Sequence, residues 1–155
     1  MSTVRPPQAA RVLGALAIVF AIGGCAHLVI LHDPLSATEH NDLGVVYERK
    51  GENELAAREY RRALRLDPHL AHARVNLGNV LAAGGHWGDA EKSFRRALAD
   101  SATDYDAMNN LAIALLRQRR NLPQARALAE RAAASGADRD SIYQATLAEI
   151  RAATR

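Results

Sequence analysis

Asp42-Leu43-Gly44, Asn76-Leu77-Gly78 and Asn110-Leu111-Ala112 stand 34 residues apart along the chain, and their reading decides the fold. The register extends to both sides of them. Tyr47, Leu81 and Leu115 keep the interval, as do Val46, Val80 and Ala114, and Tyr60-Arg61-Arg62-Ala63-Leu64 returns as Phe94-Arg95-Arg96-Ala97-Leu98. Self-similarity at one period means stacked copies of one supersecondary unit, none of which buries its apolar face alone. A period of 34 with a small residue at each helix crossing predicts paired antiparallel helices stacked into a solenoid.

Composition fits that expectation. The 155 residues predict one domain, with 24% charged and 48% hydrophobic residues, as in a soluble helical domain with one apolar tract. Aromatic residues make up only 5%, so the core must be built from Leu, Ala and Val, with Tyr or Phe at selected points. The formal charge of +3 overstates the basic character, because Arg5 and Arg11 precede the apolar tract with no acid near them. Without them, 20 − 2 = 18 basic residues face 17 acidic ones, which is +1 and no nucleic-acid footprint. Cys25 is the single cysteine and has no internal disulfide partner.

The amino-terminal segment reads as an export signal. Met1 to Arg11 is basic and without acids, Val12 to Ala21 is uninterrupted and apolar, and Ile22-Gly23-Gly24-Cys25 follows. That tetrapeptide resembles the lipobox of bacterial lipoproteins, an aliphatic residue and two small ones before a cysteine. The resemblance implies cleavage of residues 1–24 and acylation of Cys25. More than one acyl chain gives stable anchoring where one gives marginal binding. Ala26, where Asp would signal retention, points by the same resemblance to the outer membrane, facing the periplasm. Two other readings stay open. Val12 to Leu31 spans 20 residues, the length of a single-pass inner-membrane anchor with the repeats outside the cytoplasm, although it contains three glycines and His27. Cys25 as a small buried hydrophobe is the third. A tether over residues 25–36 leads into the repeats, with Ser36 or Thr38 as the first helix cap and Thr38 the better placed.

The repeats resemble the tetratricopeptide repeat. Ala37 to Leu70 supplies Leu43, Gly44, Tyr47, Gly51, Ala56, Tyr60, Ala63 and Pro68, a nearly complete match to its pattern. Ala71 to Asp104 supplies Leu77, Gly78, Leu81, Gly85, Ala90, Phe94 and Ala97, with Ala102 where proline would stand. The third, residues 105–135, keeps Leu111, Ala112 and Leu115, loses its turn glycine to Arg119 and gains one residue, so that Ala125, Ala129 and Ala132 fill the later slots. Gly44, Gly78 and Ala112 fall where the two helices of a repeat meet, and Gly51 and Gly85 where a left-handed cap ends the first helix. Tyr60 and Phe94 are placed beneath the next repeat's first helix. Residues 136–155, with Ile142, Leu147 and Ile150 as the apolar positions, read as a capping helix. The expectation is an all-α, right-handed helical-hairpin solenoid of three repeats over residues 37–135, closed by that helix.

The resemblance implies a concave groove lined by the first helices. Its slots hold Asn41, Asp42, Val45 and Arg49 in repeat 1, His72, Asn76, Asn79 and Ala83 in repeat 2, and Asp106, Asn109, Asn110, Ile113 and Arg117 in repeat 3. Asn76 and Asn110, in register with Asp42, make an asparagine ladder, since an amide offers donor and acceptor to an extended peptide backbone. The alternative is that these amides bond neighbouring helices. Chaperone-binding relatives clamp two carboxylates with lysines and an arginine. Asn76 matches one member of that clamp, whereas Asn41, Val45, Asp106 and Asn110 do not match the rest, so chaperone-tail recognition by that mode is not expected.

No other chemistry is expected. The six histidines are scattered, which predicts solvated side chains and no metal site. Arg61-Arg62-Arg65 and Arg95-Arg96, near Glu59 and Glu91, predict a solvated outer face with local ion pairs. Trp87 is expected in the core. No nucleophile–base pair, phosphate loop or paired-carboxylate site is recognisable, and no cofactor is called for. His32-Asp33-Pro34-Leu35-Ser36 resembles the junction before repeats in some bacterial cysteine peptidases, which suggests a peptidase or secretion system as a partner. The sequence therefore predicts a non-enzymatic, membrane-anchored scaffold for a protein or peptide ligand, or else a structural accessory lipoprotein of an envelope assembly, secretion or peptidase system.

Overall fold

The structure is a computed structural model that describes residues 16–20, 27–31, 33–136 and 140–154. The chain divides into two units between Leu35 and Ser36. In the first, β1 (Leu16–Phe20) pairs antiparallel with β2 (His27–Leu31), Ile18 opposite Val29 and Val19 opposite Leu28. This ladder was not anticipated. Ile18, Val19, Val29 and Ile30 are β-branched and favour extended backbone, so the described parts of Val12 to Leu31 are strands. Among the described residues, no helix is long and apolar enough to cross a membrane. Cys25 and the expected cut before it lie outside the described residues.

The second unit is a helical-hairpin solenoid. Its elements are α1 (Ala37–Arg49), α2 (Asn53–Leu66), α3 (Ala71–Ala83), α4 (Trp87–Asp100), α5 (Tyr105–Arg117), α6 (Leu122–Ala133) and α7 (Asp140–Ala153). Ser36 caps α1, not Thr38. Its hydroxyl accepts from the Glu39 N–H at 3.3 Å while the Glu39 carboxylate accepts from the Ser36 N–H at 2.7 Å, a complete capping box. Thr38 has no acid three residues on and falls inside the first turn. The Ser36 N–H, and after it the Ser36 hydroxyl, hold the Glu39 carboxyl below the ordinary glutamate range.

Within each hairpin the small residue of the first helix meets a ring from the second. A Cβ on Gly44 would lie 2.5 Å from Tyr60 Cε1, and one on Gly78 would lie 2.8 Å from Phe94 Cδ1. The rings therefore sit against their own repeat's first helix, and Tyr60 shares its cluster with Leu77 and Val80 of the next repeat. Tyr60 is wholly buried, and its hydroxyl donates to Glu48 Oε2 at 2.6 Å. Burial first, and then that bond, push its phenol above the ordinary tyrosine value. Repeat 3 replaces the pair by Ala112 and Ala129, both fully buried.

The turns explain the irregular third repeat. Gly51 and Gly85 both take a left-handed φ of 76° after their first helices. Arg119 takes the same region at φ 51°, and the additional residue is absorbed by Asn121 at φ 42°, whose side chain caps α6 by accepting from the Gln124 N–H. The chain thus lengthens the loop and leaves α6 in register. On α7 the buried set is Tyr143, Thr146, Leu147 and Ile150, whereas Ile142, expected inside, is 53% exposed. Tyr143 takes the inner position because it shares a face with Leu147 and Ile150, four and seven residues on.

Candidate partner-binding groove

Side chains from α1, α3 and α5 join into two short amide chains. Asn76 Nδ2 donates to Asn41 Oδ1 at 3.0 Å, and Asn41 Nδ2 donates to Asp42 Oδ1 at 3.3 Å. One repeat further, Asn110 Nδ2 donates to Asn79 Oδ1 at 2.9 Å, and Asn109 Nδ2 donates to Asn110 Oδ1 at 3.3 Å. The Asn76–Asn41 and Asn110–Asn79 bonds each tie one repeat's first helix to the next, while the other two link adjacent residues within α1 and α5, so these amides do join neighbouring helices. They retain capacity for a ligand, because a primary amide has two N–H donors and two acceptor lone pairs. Asn41 and Asn109 are buried, and Asn109 Oδ1 has no hydrogen-bond partner. Asn76, Asn79 and Asn110 are half-buried and reach the surface.

Asn79 and Asn110 also line one recess of about 220 Å³ between α3 and α5. Its other walls are Ala82, Ala83, Trp87, Phe94 and Ile113, so it is apolar except for the two amides. Gln118 holds the Trp87 wall. Its Nε2 donates to the Trp87 carbonyl at 3.3 Å, the Ala114 carbonyl at 3.0 Å and Glu91 Oε2 at 2.9 Å. Trp87, expected in the core, is half-buried and serves both core and recess. Its contribution was legible in one respect: a large ring at the start of α4 follows the paired small residues Ala82-Ala83, which leave room beside it.

The other groove positions divide between exposed groups and groups engaged by α7. Asp42, Arg49 and His72 are exposed, and among the described residues Arg49 makes no ion pair. Asp106 Oδ1 accepts from the Tyr143 hydroxyl at 3.0 Å, and Arg117 pairs with Glu149 at 2.8 Å. Both partners lie on α7, which therefore occupies the polar edge of α5 as well as covering its apolar face. What remains open beside α3 and α5 is amide and apolar, with no cationic clamp.

Elsewhere, two sites that the sequence suggested were solvated are buried. His40 is 1% exposed, and its Nδ1 lies 2.7 Å from Glu59 Oε2, itself on a buried residue. Glu59 Oε1 accepts from Arg62 at 2.7 Å. Glu91 is also buried, accepting from Arg95 at 2.9 Å and from Gln118, with Arg120 at 3.6 Å. Burial alone would raise the Glu91 carboxyl, but the bonds from Arg95 and Gln118 and the charges of Arg95 and Arg120 outweigh it and hold the carboxyl below the ordinary glutamate range. The outer face carries the expected ion pairs, but their carboxylates are built into it. Among the described residues no group of three His, Cys, Asp or Glu side chains is placed to hold a metal ion.

Comparison with known proteins agrees with this geometry. A family model described as "TPR repeat" matches residues 44–85, and one described as "Tetratricopeptide repeat" matches residues 75–141. No curated protein matches the chain. Among solved structures, it is similar to the first TPR of Spaghetti (RPAP3) bound to an HSP90 peptide, with 18% identity and a TM-score of 0.70 over 76% of this chain and 92% of that one. It is also similar to the Sgt2 TPR domain from Aspergillus fumigatus, with 16% identity and a TM-score of 0.69 over 76% of this chain and 78% of that one. Identities this low show the fold alone. Two matching family models together run from residue 44 to residue 141, over the helical hairpins that such repeats build, and the chain carries tetratricopeptide repeats there.

Proposed function

We propose that this protein is a non-enzymatic scaffold that binds an extended segment of a protein partner in the α3–α5 groove. The observation that carries this is the amide-edged recess, in which Asn79 and Asn110 stand over a floor formed by Phe94 and Ile113. An extended chain laid there can exchange backbone hydrogen bonds with the amides while one apolar side chain enters the recess. The Spaghetti repeat, whose structure holds an HSP90 peptide, is support for peptide binding on this fold. The absence of cations at Asn41, Val45, Asp106 and Asn110 argues for a ligand held by backbone and apolar contacts rather than by its carboxylates.

A photo-crosslinking amino acid at Ile113 tests the groove. It is expected to capture a protein from envelope extracts, and capture is expected to fall about tenfold or more in an Asn79→Ala/Asn110→Ala variant, as two amide contacts of about 1 kcal/mol each are lost. Thermal unfolding of that variant is followed alongside. Capture that is unchanged in the folded variant would remove the groove reading and favour an assembly factor that uses its outer face.

The scaffold is further proposed to be exported and lipid-anchored at the outer membrane through Cys25. Support comes from the basic start, the apolar run and Ile22-Gly23-Gly24-Cys25, with Ala26 next. The cut would fall between β1 and β2, so processing would release β2 from its pairing partner. Cys25→Ala is expected to abolish labelling by radioactive palmitate and to leave a larger, unprocessed chain. Labelling that persists would sink the lipoprotein reading, and an unlabelled wild-type chain in the inner-membrane fraction would favour an uncleaved anchor.

A further inference from the structure

Helix α3 presents a second lined surface on the side away from the asparagines. At about 3.6 residues per turn, Arg74, Leu77 and Leu81 fall on roughly the opposite side from Asn76, Asn79 and Ala83. There the seam between α2 and α4 opens as a cleft of about 240 Å³ with Leu64, Leu77 and Leu81 among its lining. Its charged lining is Arg61, Arg74, Lys92 and Arg96 against a single carboxylate, Asp89. A neighbouring recess shares Arg61 and Leu81 and continues the seam towards Arg58 and His86, with Glu54 as its one carboxylate.

Two of the cations are already used. Arg74 pairs with Asp100 at 3.0 Å, and Lys92 pairs with Asp89 at 2.8 Å. Arg61 and Arg96 make no ion pair among the described residues, although Arg62 and Arg95 beside them do. The spare guanidinium groups therefore stand on the two walls, one on α2 and one on α4, over an apolar floor. A guanidinium fork is matched to a carboxylate.

We propose that this seam is a second docking surface, which takes an extended acidic segment of a protein, its carboxylates on Arg61 and Arg96 and an apolar side chain on the leucines between them. Charge complementarity decides the sign of the occupant. The recessed floor decides its form, because a flat anionic bilayer would meet the cations and leave the leucines uncovered. The surface lies apart from the groove and does not rest on the function proposed for it.

The test uses the full chain and a fluorescein-labelled peptide of alternating glutamate and leucine, followed by fluorescence anisotropy. Saturable binding is expected, weakening as salt rises, with a loss of about tenfold or more in Arg61→Gln/Arg96→Gln. Both arginines are exposed and make no ion pair among the described residues, Arg61 acting on Asp89 only at longer range, so the variant is expected to melt with the parent protein. Asn79→Ala/Asn110→Ala is expected to leave the affinity unchanged, which separates this surface from the groove. Peptide binding that is absent, or indifferent to both arginines, would overturn the proposal. So would vesicles of phosphatidylglycerol that bind in an arginine-dependent manner while the peptide does not.

Discussion

Phe94→Ala is expected to lower the stability of the repeats by about 3–5 kcal/mol, the usual cost of removing a buried ring. Phe94 is 1% exposed and belongs to the larger core cluster, with Leu111, Met108 and Leu115 of the next repeat. Its ring also occupies the space that a side chain on Gly78 would need. Gly78→Ala alone is expected to cost about 1–2 kcal/mol, because overpacking outweighs the roughly 1 kcal/mol that alanine gains over glycine inside a helix. The two changes together should cost less than Phe94→Ala alone. The new methyl enters the space the ring has left, and the propensity gain is retained. Repeat 3 has alanine at both of these positions, Ala112 and Ala129, each fully buried in one core cluster. Urea denaturation of the two single variants and the double variant measures the coupling, expected at about 2 kcal/mol. Additivity within about 0.5 kcal/mol would show that ring and glycine do not compete for one space.

The same comparison between repeats shows what was legible before the structure. The 34-residue period located the hairpins, since a solenoid repeats its contacts as well as its residues, and Gly44 and Gly78 reflect a close approach that recurs. Features made once per chain were harder to read. Ser36 and Thr38 both suit a cap, and only Glu39, three residues after Ser36, separates them. His40 and Glu59 are polar by type, and their burial depends on a partner 19 residues away that no periodic signal links to them. Likewise, the groove asparagines were in register, but which amide bonds which is set by helix spacing. Asn76 reaches Asn41, 35 residues back, whereas Asn110 reaches Asn79, 31 residues back. The α7 helix was expected as a cap for apolar surface. Its hold on Asp106 and Arg117 was not legible, because Tyr143 and Glu149 belong to no repeat pattern.

The buried pair in repeat 1 is the second place where one repeat predicts a variant of another. By the repeat register, His40 and Glu59 correspond to Met108 and Leu128 of repeat 3, once the additional residue in its turn is counted. Both positions are buried there too, at 1% and 8% exposure, so the same site is filled once by a polar pair and once by an apolar one. Glu59→Leu alone removes the carboxylate from His40 Nδ1 inside the core and is expected to cost about 2–3 kcal/mol. His40→Met alone leaves the Glu59 carboxylate to the partly exposed Arg62, and about 3 kcal/mol is expected, near the lower end for a broken buried pair. Changing both together removes the desolvated groups at once and leaves two apolar side chains whose combination the fold already accommodates. Replacing a buried pair by apolar residues of similar volume is often neutral or stabilising. The double variant is therefore expected within about 1 kcal/mol of the parent by urea denaturation. A double variant as unstable as the sum of the singles would mean that the imidazole and carboxylate stabilise repeat 1 through groups other than each other. Recovery would mean that their burial demands only mutual satisfaction, and that the first repeat tolerates the apolar residues that fill these positions in the third.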